Sequence, residues 1–575
     1  YKNKITFDNI PPDIVEEYGR GDVVTTTELY RDQLERYNEE HNRGLLPTLK
    51  MMCTFTLELV EMERNGMKID LKALDAVKQE YITEYYELEE RLYELAREAV
   101  GDTPIQLSSP VFRSKLIYSR RIVNIEDWKR VFVIGMDDKG RVQQKAHYKQ
   151  TKFNQILKNM TRPVFKTKAT HCEECNGKGW VYKETKAGKP FKRHPACRSC
   201  VEGVKYVSTG EKAGFGVTPP HSEFTSASGF STSKEMIGKI LSDYHGDEKA
   251  KEFLTLYSRF NKIATYLSTF IDGIEKHVQD DGLLHTSLNQ AVASTARLSS
   301  SSPNLQNQPR GKTFPVRRAF VSRFLLGCIS ESDYAQLEFR MAGCLSGCPV
   351  VFSDTREGVD VHAFTRDTIN AFDPRLNQID RQGAKSDTFK PLYGGKSGTP
   401  RQRHYYESFL EKYSGVQSWQ EKLLSTACSK RTIVLPTGRE YRFGAARRLP
   451  SGYVRGTTQI VNWPVQGFAT ADVVPLGVIA ASRLFKKHEL KSLLIMTIHD
   501  SLVVDVYPGE LDQVRELLLE GMLQIPEMMK EFYDIEFDYP LEVGNKFGPN
   551  LLETSNEITK QRGYENDNCV GMWRP

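Results

Sequence analysis

Apolar residues along this chain follow two rhythms. From Glu28 to Val100 they recur at helical spacing among charged residues, as in "EYITEYYELEERLYELAREAV", which predicts long amphipathic helices. "FSTSKEMIGKILSDYH" predicts a capped helix, because Ser and Thr precede its periodic apolar positions, and "EFLTLYSRFNKIATYLSTFIDGIEKHV" predicts another. Beyond Gly282, short apolar runs of strand type alternate with helical stretches to the end. Two of these runs, Leu493 to Met496 and Leu502 to Val506, flank a polar triplet, His499-Asp500-Ser501, and predict a hairpin with a carboxylate at its turn. A turn alone would account for Asp500, since Asp is common there. A second carboxylate changes the picture. "FLLGCI" reads as a strand and "QLEFRMAGCL" as a helix, so Asp333 falls at the carboxyl end of a strand, where sites are often built. Two such carboxylates, far apart in sequence, could meet across neighbouring strands. Hard divalent cations prefer such oxygens and take substrate phosphates as their other ligands.

"RQGAKSDTFKPLYGG" adds a third pattern. Arg381, Lys385, Phe389 and Tyr393 recur every four residues, which on a helix forms one stripe. Two cations followed by two aromatics suit a ligand with a polyphosphate at one end and a flat base at the other. Pro391 is expected to kink the last turn and Gly394-Gly395 to end the helix.

At 575 residues the chain exceeds a single core and predicts several domains. The 39% hydrophobic and 27% charged residues are the balance of a soluble protein, and no run is expected to reach the ~20 apolar residues of a bilayer span. "YKNKITFDNIPP" reads as neither a signal peptide nor a transit helix, and without an initial Met it reads as the start of a fragment. Charge is uneven: Arg113 to Lys205 holds 23 Lys or Arg and 8 Asp or Glu, a net +15, while the whole chain is +5 and the remainder therefore −10. That segment is expected to face a polyanion, a solvated basic surface being the competing account. Inside it, "HCEECNGKGW" and "CRSCVEGV" form two Cys-x-x-Cys knuckles from Cys172, Cys175, Cys197 and Cys200, with Gly177, Gly179 and Gly203 allowing tight turns. The spacing predicts one structural Zn²⁺ held by four thiolates. A redox pair, or His171 or His194 as a ligand, are the alternatives. Ten Cys in a chain this long indicate a reducing compartment. Cys53, Cys328, Cys344, Cys348, Cys428 and Cys569 are expected mostly as small core residues.

"SDYAQLEFR", "RQGAKSDTFKPLYGG" and "IHDS" resemble the three polymerase motifs of family A DNA polymerases, the bacterial polymerase I and phage T7-like group. "TARLSSSSPNLQNQP", "GVDVHAF" and "NWPVQGFATAD" resemble further family segments in the same order. The resemblance covers about Glu28 to the C-terminus apart from the basic segment. It implies an α+β right-hand fold, with an antiparallel palm sheet, helical fingers and thumb, and a zinc-bearing insertion in the thumb region. The expected division is an exonuclease-domain end at 1–30, thumb and connecting helices at 31–110 and the basic insertion at 111–208. Thumb again follows at 209–285, palm at 286–355, fingers at 356–485 and palm at 486–575.

By resemblance, Asp333 and Asp500 would hold two Mg²⁺ (or Mn²⁺) ions that act on the primer 3′-hydroxyl and the triphosphate. Arg381, His362 and Lys385 would bind the incoming nucleotide, and Lys385 could protonate the leaving pyrophosphate. Phe389 and Tyr393 would line the nucleotide pocket together with Gln336, and Glu338 would crowd the sugar 2′ position. Arg297, Gln466 and His499 would contact the DNA, with Asn462 and Arg340 completing that set from behind. Minor-groove acceptors look alike in every correct pair, so such contacts test shape rather than sequence. A Phe at position 389 goes with poor use of dideoxynucleotides in this family.

Three features depart from the family or extend it. Ser501 stands where Glu is usual, and Asp505 in the next strand is expected to assist the metal site. Pro391 sits oddly within the nucleotide-binding helix. "YGRGDVVTTTEL" resembles the last exonuclease element through Tyr18 and Asp22, with an ordinary helix start as the alternative. The expected activity is DNA-templated addition of deoxynucleotides to a primer. Primer-template DNA and deoxynucleoside triphosphates would be its partners, in the cytoplasm, with a phage origin favoured over a cellular one. A processivity factor or replisome protein at the insertion is a further expected partner, and no membrane is. A scaffold that kept the fold, or an enzyme preferring RNA templates or ribonucleotides, are the alternatives.

Overall fold

The structure, a computed structural model, describes residues 10–39, 44–136, 142–145, 148–184, 194–219, 221–227, 229–242, 244–375, 377–562 and 572–573. Two compact units are present: Ala76–Asp272, and a second made of Tyr1–Asp75 with Gly273–Pro575.

The discontinuous unit is organised by a five-stranded antiparallel sheet. Its order is Leu493–Ile498, Ser501–Val506, Cys328–Tyr334, Glu542–Gly548 and Ser555–Gln561. Cys328–Tyr334 is central, so Asp333 is paired on both sides, with Ser501 and with Gly544. All six residues of Ser501–Val506 are buried, the apolar ones and also Ser501 and Asp505. The helices Val474–Lys487 and Leu511–Leu523 pack together. Their close approach uses Gly521, where a Cβ would lie 2.6 Å from Ala481 Cα.

One expectation fails here. The stretch Thr457–Lys487 is long and apolar enough to cross a membrane, but 94% of its apolar window is buried inside the protein, as in a core helix. Its two α-helical parts, Thr457–Gly467 and Val474–Lys487, are joined by a π-type turn, Phe468–Val473. Buried Asp472 in that turn accepts from Arg439 at 2.8 Å and from Thr437 at 2.8 Å. A buried charge needs such partners.

In the other unit, the segment expected as a single insertion divides. Trp128, Phe132, Phe153 and Leu157 share one core with Leu92, Phe224, Phe253 and Tyr257, which lie on both sides of it in sequence. Cys172, Cys175 and Cys197 form a separate small core, with Val181 and Cys200 packed against it. The hairpin strands Phe165–His171 and Val204–Lys212 lead into this cluster.

The helix Pro12–Asn38 carries Tyr18 and Asp22 and buries none of its residues. Of the scattered cysteines only Cys344 and Cys348 are core residues; Cys53 is exposed, Cys328 and Cys428 are half-buried, and Cys569 lies outside the described residues. The basis of the expectation was size and polarity alone, which a lone Cys in a surface helix shares.

Candidate active site

His499 and Asp500 form the two-residue turn between the strands Leu493–Ile498 and Ser501–Val506. His499 adopts φ +61°, the left-handed conformation that a Gly would otherwise supply. The predicted strands are thus longer than their apolar runs, and Ser501 belongs to a strand rather than to the turn. The turn places Asp500 beside Asp333: Ser501 pairs directly with Asp333, and Tyr334 N donates to the Asp500 carbonyl at 3.4 Å. Asp333 Oδ1 is buried and has no hydrogen-bond partner among the described residues. Burial, then Asp500 and Glu331, push the Asp333 carboxyl up to about 8, with Arg310 opposing. Neighbouring carboxylates repel, so without a cation one of them keeps its proton to higher pH.

Glu331 lies on the same face as Asp333, two residues back on the central strand. It is 3% exposed. Ser501 Oγ donates to Glu331 Oε1 at 3.0 Å, and Lys546 Nζ sits 3.1 Å from Oε2. Burial works to raise the Glu331 pKa, but Lys546, Arg317 and Arg310 outweigh it and hold the group below the usual carboxylate range. Arg310 and Arg297, after desolvation, also lower His499. The site is therefore an acidic floor with cationic walls. Glu331, Lys546, Arg310 and Arg317 were missed in the sequence.

Asp505 does not assist this site. It is paired with Ile329, four positions along the strand from Ser501, or roughly 13 Å. Its carboxylate is wholly buried and accepts from Ser322 Oγ at 2.5 Å, Arg323 N at 3.1 Å and Arg323 Nε at 2.8 Å. These bonds fix a loop to the sheet. Asp505→Ala leaves Arg323 without its charge partner and should cost about 3 kcal/mol of stability. Denaturant unfolding measures this.

The residues expected to meet a nucleotide gather around the helix Arg381–Thr388, which Asp380 caps by accepting from Gly383 N at 2.7 Å. Arg381 Nε donates to Asp360 Oδ2 at 2.6 Å, and Asp360 also caps the helix Val361–Phe372 through His362 N and Ala363 N. His362 Nδ1 and Thr388 Oγ1 are 2.9 Å apart. Burial, then Arg381 and Lys385, lower the His362 pKa. Lys385 is exposed one turn beyond Arg381. The Phe389 ring meets His362 edge-on at 5.5 Å and lies 6.2 Å from Phe339, on the helix Leu337–Ser346 that follows Asp333.

The four-residue stripe is only half helical. The helix ends at Thr388, six residues before Gly394, and Phe389 is its cap. Pro391 has no N–H to donate to the Asp387 carbonyl, which accepts from Lys390 N at 3.1 Å instead. Tyr393 follows in the turns, its hydroxyl buried and without a partner among the described residues.

Gln336 caps the helix Leu337–Ser346 in a left-handed conformation, φ +52°. Arg297 is ion-paired with Glu338. Asn462 and Gln466 are one turn apart on Thr457–Gly467, and Asn462 Oδ1 is buried with no partner among the described residues. Arg340 is not placed to touch DNA. It is 2% exposed, and its guanidinium donates to the carbonyls of Ala335, Thr355 and Pro540 and to Glu542 Oε2. It braces the helix after Asp333 from behind.

In the other unit, the four cysteine sulfurs all lie within 4.8 Å of one another. Cys172 and Cys197 Sγ are 3.9 Å apart and Cys175 and Cys200 Sγ 3.5 Å. Four thiolates around one Zn²⁺ would be about 3.7 Å apart, so the cluster fits that ion. His171 is bonded to Asn176 instead, and His194 stacks on Trp180.

Comparison with known proteins agrees with the motifs. The family DNA polymerase family A matches residues 216–553. The chain is 30% identical over 329 residues to the thermostable DNA polymerase I of Thermus filiformis, covering 54% of this chain and 37% of that protein. It is 29% identical over 320 residues to DNA polymerase I of Lactococcus lactis, covering 52% and 34%. The chain thus spans about a third of the length of these relatives. Among solved structures, the polymerase domain of Pol1 from M. smegmatis, in complex with DNA primer-template and dNTP, has the same fold. That likeness has a TM-score of 0.57 at 19% identity, over 87% of this chain and 70% of the other. With more than half of its residues matched, and with Asp333 and Asp500 brought together at one end of the sheet, the chain belongs to DNA polymerase family A.

Proposed function

We propose that this chain extends a primer 3′-hydroxyl on a DNA template, using deoxynucleoside triphosphates. The observation that carries the reading is the meeting of Asp333 and Asp500, with a buried, unpartnered oxygen on Asp333. That pair fits divalent cations and would hold two Mg²⁺ or Mn²⁺ ions, which lower the pKa of an attacking hydroxyl and neutralise phosphate charge. The chain's own groups do the rest. Arg381 and Lys385, one turn apart, face the triphosphate, and Arg381 exchanges its Asp360 partner for phosphate oxygens. His362 donates to the same oxygens while its Nδ1 is fixed on Thr388. Phe389 and Tyr393 wall the base and sugar, and Glu338, held by Arg297, closes the 2′ side. His499, Gln466 and Arg297 meet the primer end. The cysteine cluster holds one structural Zn²⁺.

Primer extension on DNA and RNA templates, with deoxy- and ribonucleotides, tests this reading. Extension should require Mg²⁺ and favour deoxynucleotides on DNA. Failure to extend, despite primer-template binding, would favour a scaffold, and ribonucleotide preference would overturn the role of Glu338. Phe389→Tyr places a hydroxyl in the pocket that can stand in for a missing 3′-hydroxyl interaction. One such bond, about 1 kcal/mol, should raise the dideoxy-to-deoxynucleotide incorporation ratio roughly fivefold. Competition between the two nucleotides in one extension reaction measures the ratio.

A further inference from the structure

A buried, charged carboxylate next to a proposed cation site needs a reason. Glu331 lies two residues from Asp333 on the central strand, so both side chains share the face of the sheet beside the turn that carries Asp500. A fold built only for stability would do better with a neutral residue there, because burying a carboxylate is costly even when it is paired. Lys546 offsets that cost from the side away from Ser501: its ammonium lies on Oε2, while Ser501 lies on Oε1.

The geometry ties Glu331 to the site through two routes. Its charge lies on the same strand face as Asp333, in a nearly water-free setting where Coulomb attraction falls off slowly. Its Oε1 also receives the Ser501 hydroxyl. Ser501 Oγ lies 3.0 Å from both Glu331 Oε1 and the Ile498 carbonyl, and its single proton favours the charged acceptor. Ser501 directly follows Asp500 and is directly across from Asp333. Glu331 therefore holds the residue that fixes Asp500 at the turn.

We infer that Glu331 is a positioning residue for the cation site. Its negative charge draws a divalent cation onto Asp333 and Asp500, and its bond to Ser501 sets the turn that carries Asp500. This rests on the reading of the aspartate pair given above. In that role the carboxylate can sit on either strand: a Glu at 501 would project from the position opposite Asp333 and deliver its charge to the same place.

Mn²⁺ binding, measured by electron paramagnetic resonance on the whole zinc-loaded chain without nucleotide, tests the inference without turnover. Asp333→Asn supplies the background. Glu331→Gln should weaken Mn²⁺ binding by roughly tenfold, as loss of a supporting carboxylate does elsewhere. Lys546→Gln should leave Mn²⁺ affinity unchanged or tighter, because it frees the carboxylate. If Glu331 and Lys546 were only a structural pair, the two variants would weaken binding equally, and that result overturns the inference. The double variant Glu331→Ser with Ser501→Glu should bind Mn²⁺ to within about threefold of the parent chain. A folded double variant, checked by melting, that binds no better than Glu331→Gln also overturns it. If the parent chain binds no more Mn²⁺ than Asp333→Asn, the aspartate-pair reading fails and this inference fails with it. If the parent binds and Glu331→Gln binds equally well, only this inference fails.

Discussion

Asp333→Asn and Asp500→Asn should each lower primer extension by about a thousandfold or more, while primer-template binding stays within a few-fold of the parent chain. The loss follows from the cations: a held metal ion contributes several kcal/mol of charge stabilisation at the reacting phosphate, and about 4 kcal/mol corresponds to three decades of rate. Binding survives because DNA affinity comes mainly from phosphate contacts elsewhere, and removing a negative charge near the duplex cannot weaken them. Stability should move the other way. Burial and Asp500 raise the Asp333 pKa to about 8, above its value in the unfolded chain. The folded state therefore binds this proton more tightly, and stability falls as pH rises through that window toward 8. Asn carries no such charge. In chelator-containing buffer Asp333→Asn should melt at or above the parent temperature, with the larger gap at pH 8 than at pH 6. Near-normal extension by either variant would refute the two-cation reading. A strong drop in melting temperature would mean that the lost activity reports misfolding.

The patterns legible in the sequence were those that a short stretch determines by itself. The hairpin around Asp500 was readable because both flanking runs are apolar and the interruption is short. The cysteine cluster was readable because two Cys-x-x-Cys knuckles leave few other arrangements, and their sulfurs do converge. What failed depended on partners far away in the chain. Asp505 looks equivalent to Asp500 in sequence, and only the placement of Ser322 and Arg323 shows that it is spent on a loop. Arg340, grouped with the DNA-side residues as their support from behind, is enclosed by three carbonyls and Glu542 and braces the helix after Asp333. The end of the nucleotide-side helix was misplaced for a local reason: Pro391 was credited with a kink, whereas the missing N–H ended the helix at Thr388. Glu331 had a signal that was passed over. In "SESD" it alternates with Asp333 at the two-residue period of a strand, so both had to share a face.

Replacing Cys172 and Cys175 together by Ser should remove the zinc and shorten the products made per binding event. Elemental analysis should find about one zinc per parent chain and none in the variant. The local fold would depend on that ion more than on packing. Among the described residues only Val181 is packed against the cysteines as a hydrophobic partner, which is too little apolar area to order the loops, while a four-thiolate zinc site would contribute on the order of 10 kcal/mol. Trp128, Phe132 and Phe153 belong to the larger core, so the rest of that unit should stay folded and the protein should still melt cooperatively. The exposed Lys168, Lys178, Lys183, Arg198 and Lys205 would then lose their fixed spacing. Cations held in fixed positions neutralise phosphates without reading sequence, and with fewer phosphates neutralised the binding becomes weaker and less salt-dependent. Products per binding event should shorten by about threefold or more at low salt, where these charges count most, and single-nucleotide addition should continue. Gly203→Ala offers a second route that leaves every thiol in place. Gly203 has φ +89°, and a Cβ there would fall 2.0 Å from the Gly177 carbonyl oxygen, so the turns that follow the two knuckles could not meet. It should lower zinc occupancy and product length together. Products of unchanged length after zinc is lost by either route would assign the basic surface to a protein partner instead of the duplex.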